Sequence, residues 1–423
     1  MAQTCRLGLL LVLLLPVVGA SMPSTVVRLN KAMLSYVSES GKGPLQRAMQ
    51  VTVPHFLDRS GEVLRPTRVQ ILNVQVLRLQ LKFVDGVGVR LFAAANFTIK
   101  VFRDPEPLEL ILPMVLLADA RVDQGSIGTP VVSLSSCFSL FNKAIVLDGS
   151  HSAPPALLVR VQKHIRAVLY NKLCLSVSNL VQGLNVHLGT LIGLKPVGPE
   201  SQIRYFMVSK PIITKDYISL DINAVLFLLG KPIVLPVDAT PFMLPEHVGT
   251  NGAMATVGLS QDLFDSALLL MQKAGSLNMD ITGELKSDDN LLNTSVLGQI
   301  IPEPLVEVLA SASNSAFHSL FSLDVAVNLS LQLSVSKVKL QGITSVLGEV
   351  KLTVASSNVG FIDTDQIHAL VGNVFEKPLL DHLNALLGMG VALPNVVNLH
   401  YVTPEVFVHK GYVVISSGLF YQN

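Results

Sequence analysis

Across residues 155–184 the apolar side chains fall at Leu158, Val161, Ile165, Val168, Leu169, Leu173, Val177, Leu180 and Leu184. That three-and-four spacing predicts one long helix with an uninterrupted apolar face. Arg160, Lys163, Arg166 and Lys172 fill much of the rest. A shorter helical pattern covers residues 26–49 (Val26, Leu29, Met33, Val37, Leu45, Ala48, Met49) and breaks around Gly41, Gly43 and Pro44. Between the two lies alternation of period two, which predicts strands. Residues 68–83 alternate with a phase slip near Leu72, Asp85-Gly86 marks a turn, and residues 87–102 resume with Phe97, Ile99 and Val101 on one face. Residues 108–117 and 129–138 also read as strands. Further strands follow the long helix across 203–227, with Ile218, Leu220 and Ile222 inward.

The second half repeats this order. Residues 231–248 carry Pro232, Pro236, Pro241 and Pro245, a density that denies ladder donors and marks a linker between a domain of residues 21–230 and one of residues 249–423. Residues 261–273 form a helical pattern behind Ser260, a suitable N-cap. From Leu323 to Val335 every odd position is apolar, which predicts one strand longer than usual and hence a long, curved antiparallel sheet. Residues 349–355 continue the alternation. Asp363 and Gln366 open a second long helix with Ile367, Leu370, Val374, Leu383 and Leu387 on its inner face and a kink expected at Pro378. Strands close the chain over residues 396–420.

Composition sharpens the picture. The 423 residues are 50% hydrophobic and only 14% charged, without tryptophan. Charged residues usually make up about a quarter of a soluble chain, so much apolar surface must be hidden. Beyond the N-terminus no apolar run reaches the roughly 20 residues of a membrane span. Residues 1–20 read as a secretory signal peptide, with Arg6, an apolar run from Leu7 and a small-residue site at Val18-Gly19-Ala20. Its removal leaves Cys137 and Cys174 as an even pair in an oxidising compartment, which reads as a disulfide in preference to two free thiols. Sequons stand at Asn96, Asn293 and Asn328, the first and last on the polar phase of predicted strands. Charge divides along the linker. Residues 21–230 hold 22 Lys and Arg against 13 Asp and Glu, and residues 249–423 hold 7 against 15, so the halves carry +9 and −8. A basic half is suited to anionic lipid headgroups or a bacterial surface, beside the plainer reading of scattered solvated charge.

Catalytic patterns are missing. The sequence contains no H-E-x-x-H, G-x-S-x-G or phosphate-binding loop, and the ten histidines are dispersed, with His164 on the rim of the long helix. The pattern predicts neither an enzyme nor a metal site, and nothing in it points to nucleic acid. Apolar faces on long helices beside long strands remain, a geometry that can hold an acyl chain.

The segments VVRLNKAMLSYVSESGKGPLQRAMQ, VSNLVQGL, GLSQDLFDSALLLMQKAG and YVVISSGLF, with the cysteine pair and the proline-rich linker, resemble the bactericidal/permeability-increasing (BPI) fold family over essentially the whole mature chain. The resemblance implies an α+β boomerang of two tandem barrels, each a twisted antiparallel sheet around long helices, joined by a central sheet. It also implies an apolar phospholipid pocket in each barrel and a Cys137–Cys174 disulfide in the first. One departure stands out. Around residues 301–306 the family would carry about two more strands, so the second barrel is expected to be shortened, with ladder groups left unpaired or its pocket opened.

These readings converge on a secreted, non-catalytic protein that holds phospholipid or another acyl lipid, with no cofactor beyond that ligand. Recognition of bacterial lipid or lipopolysaccharide through the basic half is one alternative, and an interaction glycoprotein without bound lipid is another. The pocket positions expected on the first-half helices are Met33, Val37, Ile165, Val168 and Leu169.

Overall fold

The structure, a computed structural model, describes residues 22–422 except 55, 61–62, 103–106, 148–154, 232, 247, 250–251, 278–279, 285–294, 302–304 and 311–317. The signal segment, Asn293 and part of the expected shortening therefore lie outside the described residues.

The first half begins with β1 (Thr25–Asn30), α1 (Lys31–Ser40) and α2 (Lys42–Met49). Residues 26–30 are thus strand, not helix. Thr25, Val26 and Val27 are buried in the centre of a sheet, where no alternation marks a strand. Strands β2 (Phe56–Ser60), β3 (Val63–Val84), β4 (Gly88–Phe102), β5 (Leu108–Gln124), β6 (Pro130–Phe141) and β7 (Ile145–Val146) precede the long helix α3 (Pro155–Leu188) and a 3-10 turn, Gly189–Ile192. Then come β8 (Lys195–Val197), β9 (Ser201–Met207), β10 (Ile212–Ile213), β11 (Tyr217–Leu228) and β12 (Val234–Pro236). The second half holds β13 (Ala255–Ser260), α4 (Gln261–Ala274), β14 (Asp280–Glu284), β15 (Ser295–Ile301), β16 (Leu305–Ala310), β17 (His318–Ala326), β18 (Leu329–Ser336), β19 (Lys339–Val346) and β20 (Lys351–Ser357). It ends with α5 (Thr364–Met389), β21 (Val391–Ala392), β22 (Leu399–His409) and β23 (Tyr412–Tyr421).

Strands β2 to β6 form an antiparallel meander with β7 on β5, and β14, β15, β16, β17 and β20 form a second sheet. A central sheet runs β18-β19-β21-β8-β9-β11-β1-β13-β23-β22 and joins the halves. It curls until its end strands β18 and β22 lie alongside, where the Tyr401 N–H donates to the Lys337 carbonyl at 3.4 Å. The proline-rich segment does not float free. Its β12 pairs with β11, and Val237, Ala239 and Leu244 are buried.

Two cores result. One packs Val161, Ile165, Leu169, Leu173 and Val177 of α3 against the β2–β6 meander, including Phe97, Ile99 and Val101. The other is shared by both halves and collects Leu34, Leu191, Tyr205, Leu263, Leu270 and Ile415 around the central sheet. The phase slip near Leu72 is a bulge between Ile71 and Asn73, which turns Leu72 outward. Ser260 caps α4 by accepting the Leu263 N–H at 3.3 Å, and Gly275 closes the helix in the left-handed conformation, φ 79°.

The expected single strand over residues 323–335 is two strands in different sheets. It breaks at Val327 and Asn328, so β17 stays in the second-half sheet and β18 turns into the central one. Alternation records only which phase is apolar and crosses the break unmarked: Leu323 and Val325 pack with Leu379 and Leu383 of α5, whereas Leu333 and Val335 pack on the shared core and Leu329 and Leu331 are exposed. Asn328 accordingly sits exposed in the bend and not on a strand. At the expected shortening, β15 and β16 pair continuously from Val296↔Ala310 to Ile301↔Leu305. The ladder groups on either side are satisfied by each other.

Candidate functional site

Helix α3 links the two cores. Its apolar stripe is sealed through Val177, and Leu191 in the following turn is buried in the shared core. Between them no residue from Ser178 to Thr190 is buried, although the stripe continues with Leu180, Val181, Leu184 and Leu188. Leu180 is 38% and Leu184 46% exposed. Residues 178–188 span about 17 Å of helix axis. A bilayer leaflet is about 15 Å of hydrocarbon, so this uncovered interval matches one acyl chain in length.

Three contacts fix the walls. Asn185 points its amide at the edge of β6, where Oδ1 accepts the Val132 N–H at 2.8 Å and Nδ2 donates to the Val132 carbonyl at 2.7 Å. Helix α1 is pinned to β3 by Ser38, whose hydroxyl donates to Leu34 O at 2.7 Å and accepts the Leu81 N–H at 3.1 Å. The last strand then links the two helices. The Tyr421 N–H donates to Tyr36 Oη at 3.2 Å, and the Tyr421 ring meets His187 of α3 edge-on at 6.1 Å. Because Leu34 and Ser38 take the buried side of α1, Met33 stays half-buried against the shared core and Val37 is 36% exposed. Helix α1 and the last three turns of α3 are therefore tied through Tyr421, and each carries an exposed apolar side chain within a turn of that bridge, Val37 and Leu184.

The sequence-predicted pocket residues divide across this geometry. Met33 is half-buried against the shared core, and Val37 is exposed on α1. Ile165 and Leu169 are sealed in the meander core, and Val168 is half-buried beside them. All three belong to the packed stretch of the helix, ahead of the uncovered interval. Leu180 and Leu184 belong to the predicted stripe, but only the fold reveals where its cover stops. Asn185, Tyr36 and Tyr421 carry no signal in the sequence at all.

Cys137 of β6 and Cys174 of α3 are joined, with Cα atoms 5.8 Å apart, and this bond anchors the helix just before the open interval. Asn96 stands half-buried on the outward phase of β4, between buried Ala95 and Phe97. His164 Nε2–H donates to the Pro54 carbonyl at 3.1 Å. Where the open interval ends, Lys195 Nζ donates to the Leu191 carbonyl at 3.0 Å, and burial draws its pKa down to about 8. Such an ammonium complements the carbonyl end of the helix. Among the described residues no cluster of three or more His, Cys, Asp or Glu could hold a metal ion, and no helix is long and apolar enough to cross a membrane. What this interval offers is hydrocarbon contact.

Comparison with known proteins agrees with that chemistry. The model of the LBP / BPI / CETP family, N-terminal domain, matches residues 33–184, and the C-terminal domain model matches residues 197–305 and 300–421. BPI fold-containing family B member 2 of Homo sapiens is 72% identical over 458 aligned positions, covering 100% of both chains. The same member of Mus musculus is 61% identical over 462 positions, again covering 100% of both. Protein TENP of Gallus gallus is 26% identical over 447 positions, 98% of each chain. Among solved structures, the crystal structure of lipopolysaccharide binding protein superposes with a TM-score of 0.64 at 19% identity, covering 95% of this chain and 100% of that one.

Proposed function

The chain belongs to the LBP / BPI / CETP family, whose members bind lipids, and from that premise we propose that it is a secreted, non-catalytic carrier or sensor of acyl lipid. One observation carries the reading. The apolar stripe of α3 runs uncovered past Val177 at Leu180 and Leu184, and Val37 of α1 is exposed one residue from Tyr36, which the Tyr421 bridge ties to His187 of α3. Each methylene moved from water into such a site contributes about 0.8 kcal/mol. A dozen carbons contribute on the order of 10 kcal/mol before the entropy of association is subtracted. A phospholipid or a fatty acid would place its chain along the helix and leave its polar end in water. Export follows from the signal-like residues 1–20, and it agrees with a disulfide and with sequons at Asn96, Asn293 and Asn328.

The test is native mass spectrometry of the protein secreted from mammalian cells, followed by organic extraction and lipid analysis. Co-purifying acyl lipid supports the carrier reading. A folded chain that is empty and ignores a fluorescent fatty acid would sink it and leave an interaction glycoprotein. The +9 charge of residues 21–230 favours a second reading, recognition of anionic bacterial lipid such as lipopolysaccharide. Binding to lipopolysaccharide that weakens steeply as salt rises is its expected signature, and salt-indifferent binding would count against it.

A further inference from the structure

The two halves are related by a local twofold axis that the strand register makes explicit. In the antiparallel pair of β1 and β13 it passes through Val27↔Val257 and relates Thr25 to Ala255 and Leu29 to Leu259. Each strand feeds a helix at the matching position, α1 at Lys31 and α4 at Gln261. The relation therefore carries Met33 onto Leu263 and Val37 onto Ala267. The outer neighbours correspond as well, since Thr25 faces Ile222 and Ala255 faces Ser417. At the far ends of the long helices, Asn384 of α5 repeats the contact of Asn185. Its Oδ1 accepts the Thr344 N–H at 2.7 Å and its Nδ2 donates to the Thr344 carbonyl at 3.1 Å. Matching the two asparagines carries Leu180 onto Leu379.

The halves differ where the twofold should repeat the site. Val37 is 36% exposed, whereas Ala267 is 3% exposed and Leu263 is fully buried. Leu180 is 38% exposed, whereas Leu379 is 9% exposed. Helix packing supplies the reason. α1 divides its packing between β3 and the shared core, which it enters through Leu34, while α4 lies down on β9, β11 and β13 and drives Leu263, Ala267 and Leu270 into that core.

Chain length tells the same story. Ile222 follows Thr25 by 197 positions, but Ser417 follows Ala255 by only 162, a shortfall of 35. The alignment to the human relative spans 458 positions against 423 residues, so that relative holds about 35 positions which this chain lacks. The C-terminal family model matches in two pieces that meet at residues 300–305, where β15 and β16 turn back on each other. The second half is shorter, and among its described residues Leu263, Ala267 and Leu379, at the positions related to Met33, Val37 and Leu180, are packed by their own neighbours.

We propose that this chain holds a single acyl lipid, between α1 and the last three turns of α3, and that the twofold-related position in the second half is closed by Leu263, Ala267 and Leu379. The proposal rests on the lipid-binding reading above. The test is a saturation titration of the full secreted chain, stripped of lipid, with a dansyl-labelled undecanoic acid. One equivalent should bind, and Leu184→Trp and Val37→Trp should each abolish it in variants that keep the wild-type unfolding transition. Two equivalents, of which one survives Leu184→Trp, would overturn the single site and leave lipid binding intact. One equivalent that survives both substitutions would overturn its placement. No binding by the wild-type chain would overturn the lipid reading itself.

Discussion

Asn185 and Asn384 make the same pair of hydrogen bonds in the two halves of the chain, each closing its side-chain amide onto the N–H and carbonyl of one strand residue, Val132 or Thr344. Strand β6 is the edge of its sheet, and Thr344 lies on β19 beyond the two residues that pair with β21. Each amide thus stands in for a neighbouring strand and satisfies backbone groups that would otherwise face a helix unpaired.

Removing either amide should therefore destabilise the fold without touching a core. Asn185→Ala and Asn384→Ala are each expected to lower stability by about 1–3 kcal/mol, the consequence of stranding two partly buried backbone groups. Denaturant unfolding of both variants is the check, and a change below about 0.5 kcal/mol would mean that water replaces the amide without loss.

Core and site on α3 should separate by mutation. Ile165→Ala removes a sealed side chain and is expected to cost about 2–5 kcal/mol. Leu184→Ala should change stability little and weaken acyl binding instead. Unfolding and fluorescent fatty-acid titration, run on the same two variants, give opposite rankings if the open interval is the site and the same ranking if it is not.

The Cys137–Cys174 bond closes a loop of sequence separation 37. On the chain-entropy model its removal by Cys137→Ser with Cys174→Ser lowers stability by about 4 kcal/mol. Because the bond anchors α3 just before the open interval, acyl affinity should fall as well. Urea midpoints with and without reductant measure the first effect, and the same reductant should leave the double variant unchanged.

Lys195 makes stability depend on alkaline pH. Burial lowers its pKa from 10.5 to about 8, so between those values the unfolded chain binds more protons than the folded one. Stability from this group therefore rises with pH across that window. Tyr205 and Tyr401 act oppositely, because burial raises both phenols and only the unfolded chain ionises them as pH passes about 10. Lys195→Met should remove the rise between pH 8 and 10 and leave the later fall. An unchanged pH profile would show that the ammonium is solvated in the folded chain.

Much of the fold was legible because it follows from local periodicity. The stripe on α3, the bulge at Leu72, the inward faces of β4 and β11 and the Ser260 cap are all set by side chains a few residues apart. The errors share a cause. Residues 26–30 imitate a helix because a strand buried on both faces has no alternation, and residues 323–335 imitate one strand because alternation does not register a change of sheet.

The site shows the limit most clearly. By itself the sequence determined that α3 is a long helix, that its stripe extends through Leu184, that Cys137 and Cys174 are available to anchor it and that residues 301–306 are a point of difference from the family pattern. Only the tertiary structure decided where the stripe stops being covered. Exposure at Leu180 or Val37 depends on whether a distant strand or helix arrives, and α1 divides its packing between β3 and the shared core while α4 lies on the central sheet. Val37 and Ala267 occupy related places in the two halves, yet one is open and the other sealed, because burial belongs to the packing of whole elements and not to the residue.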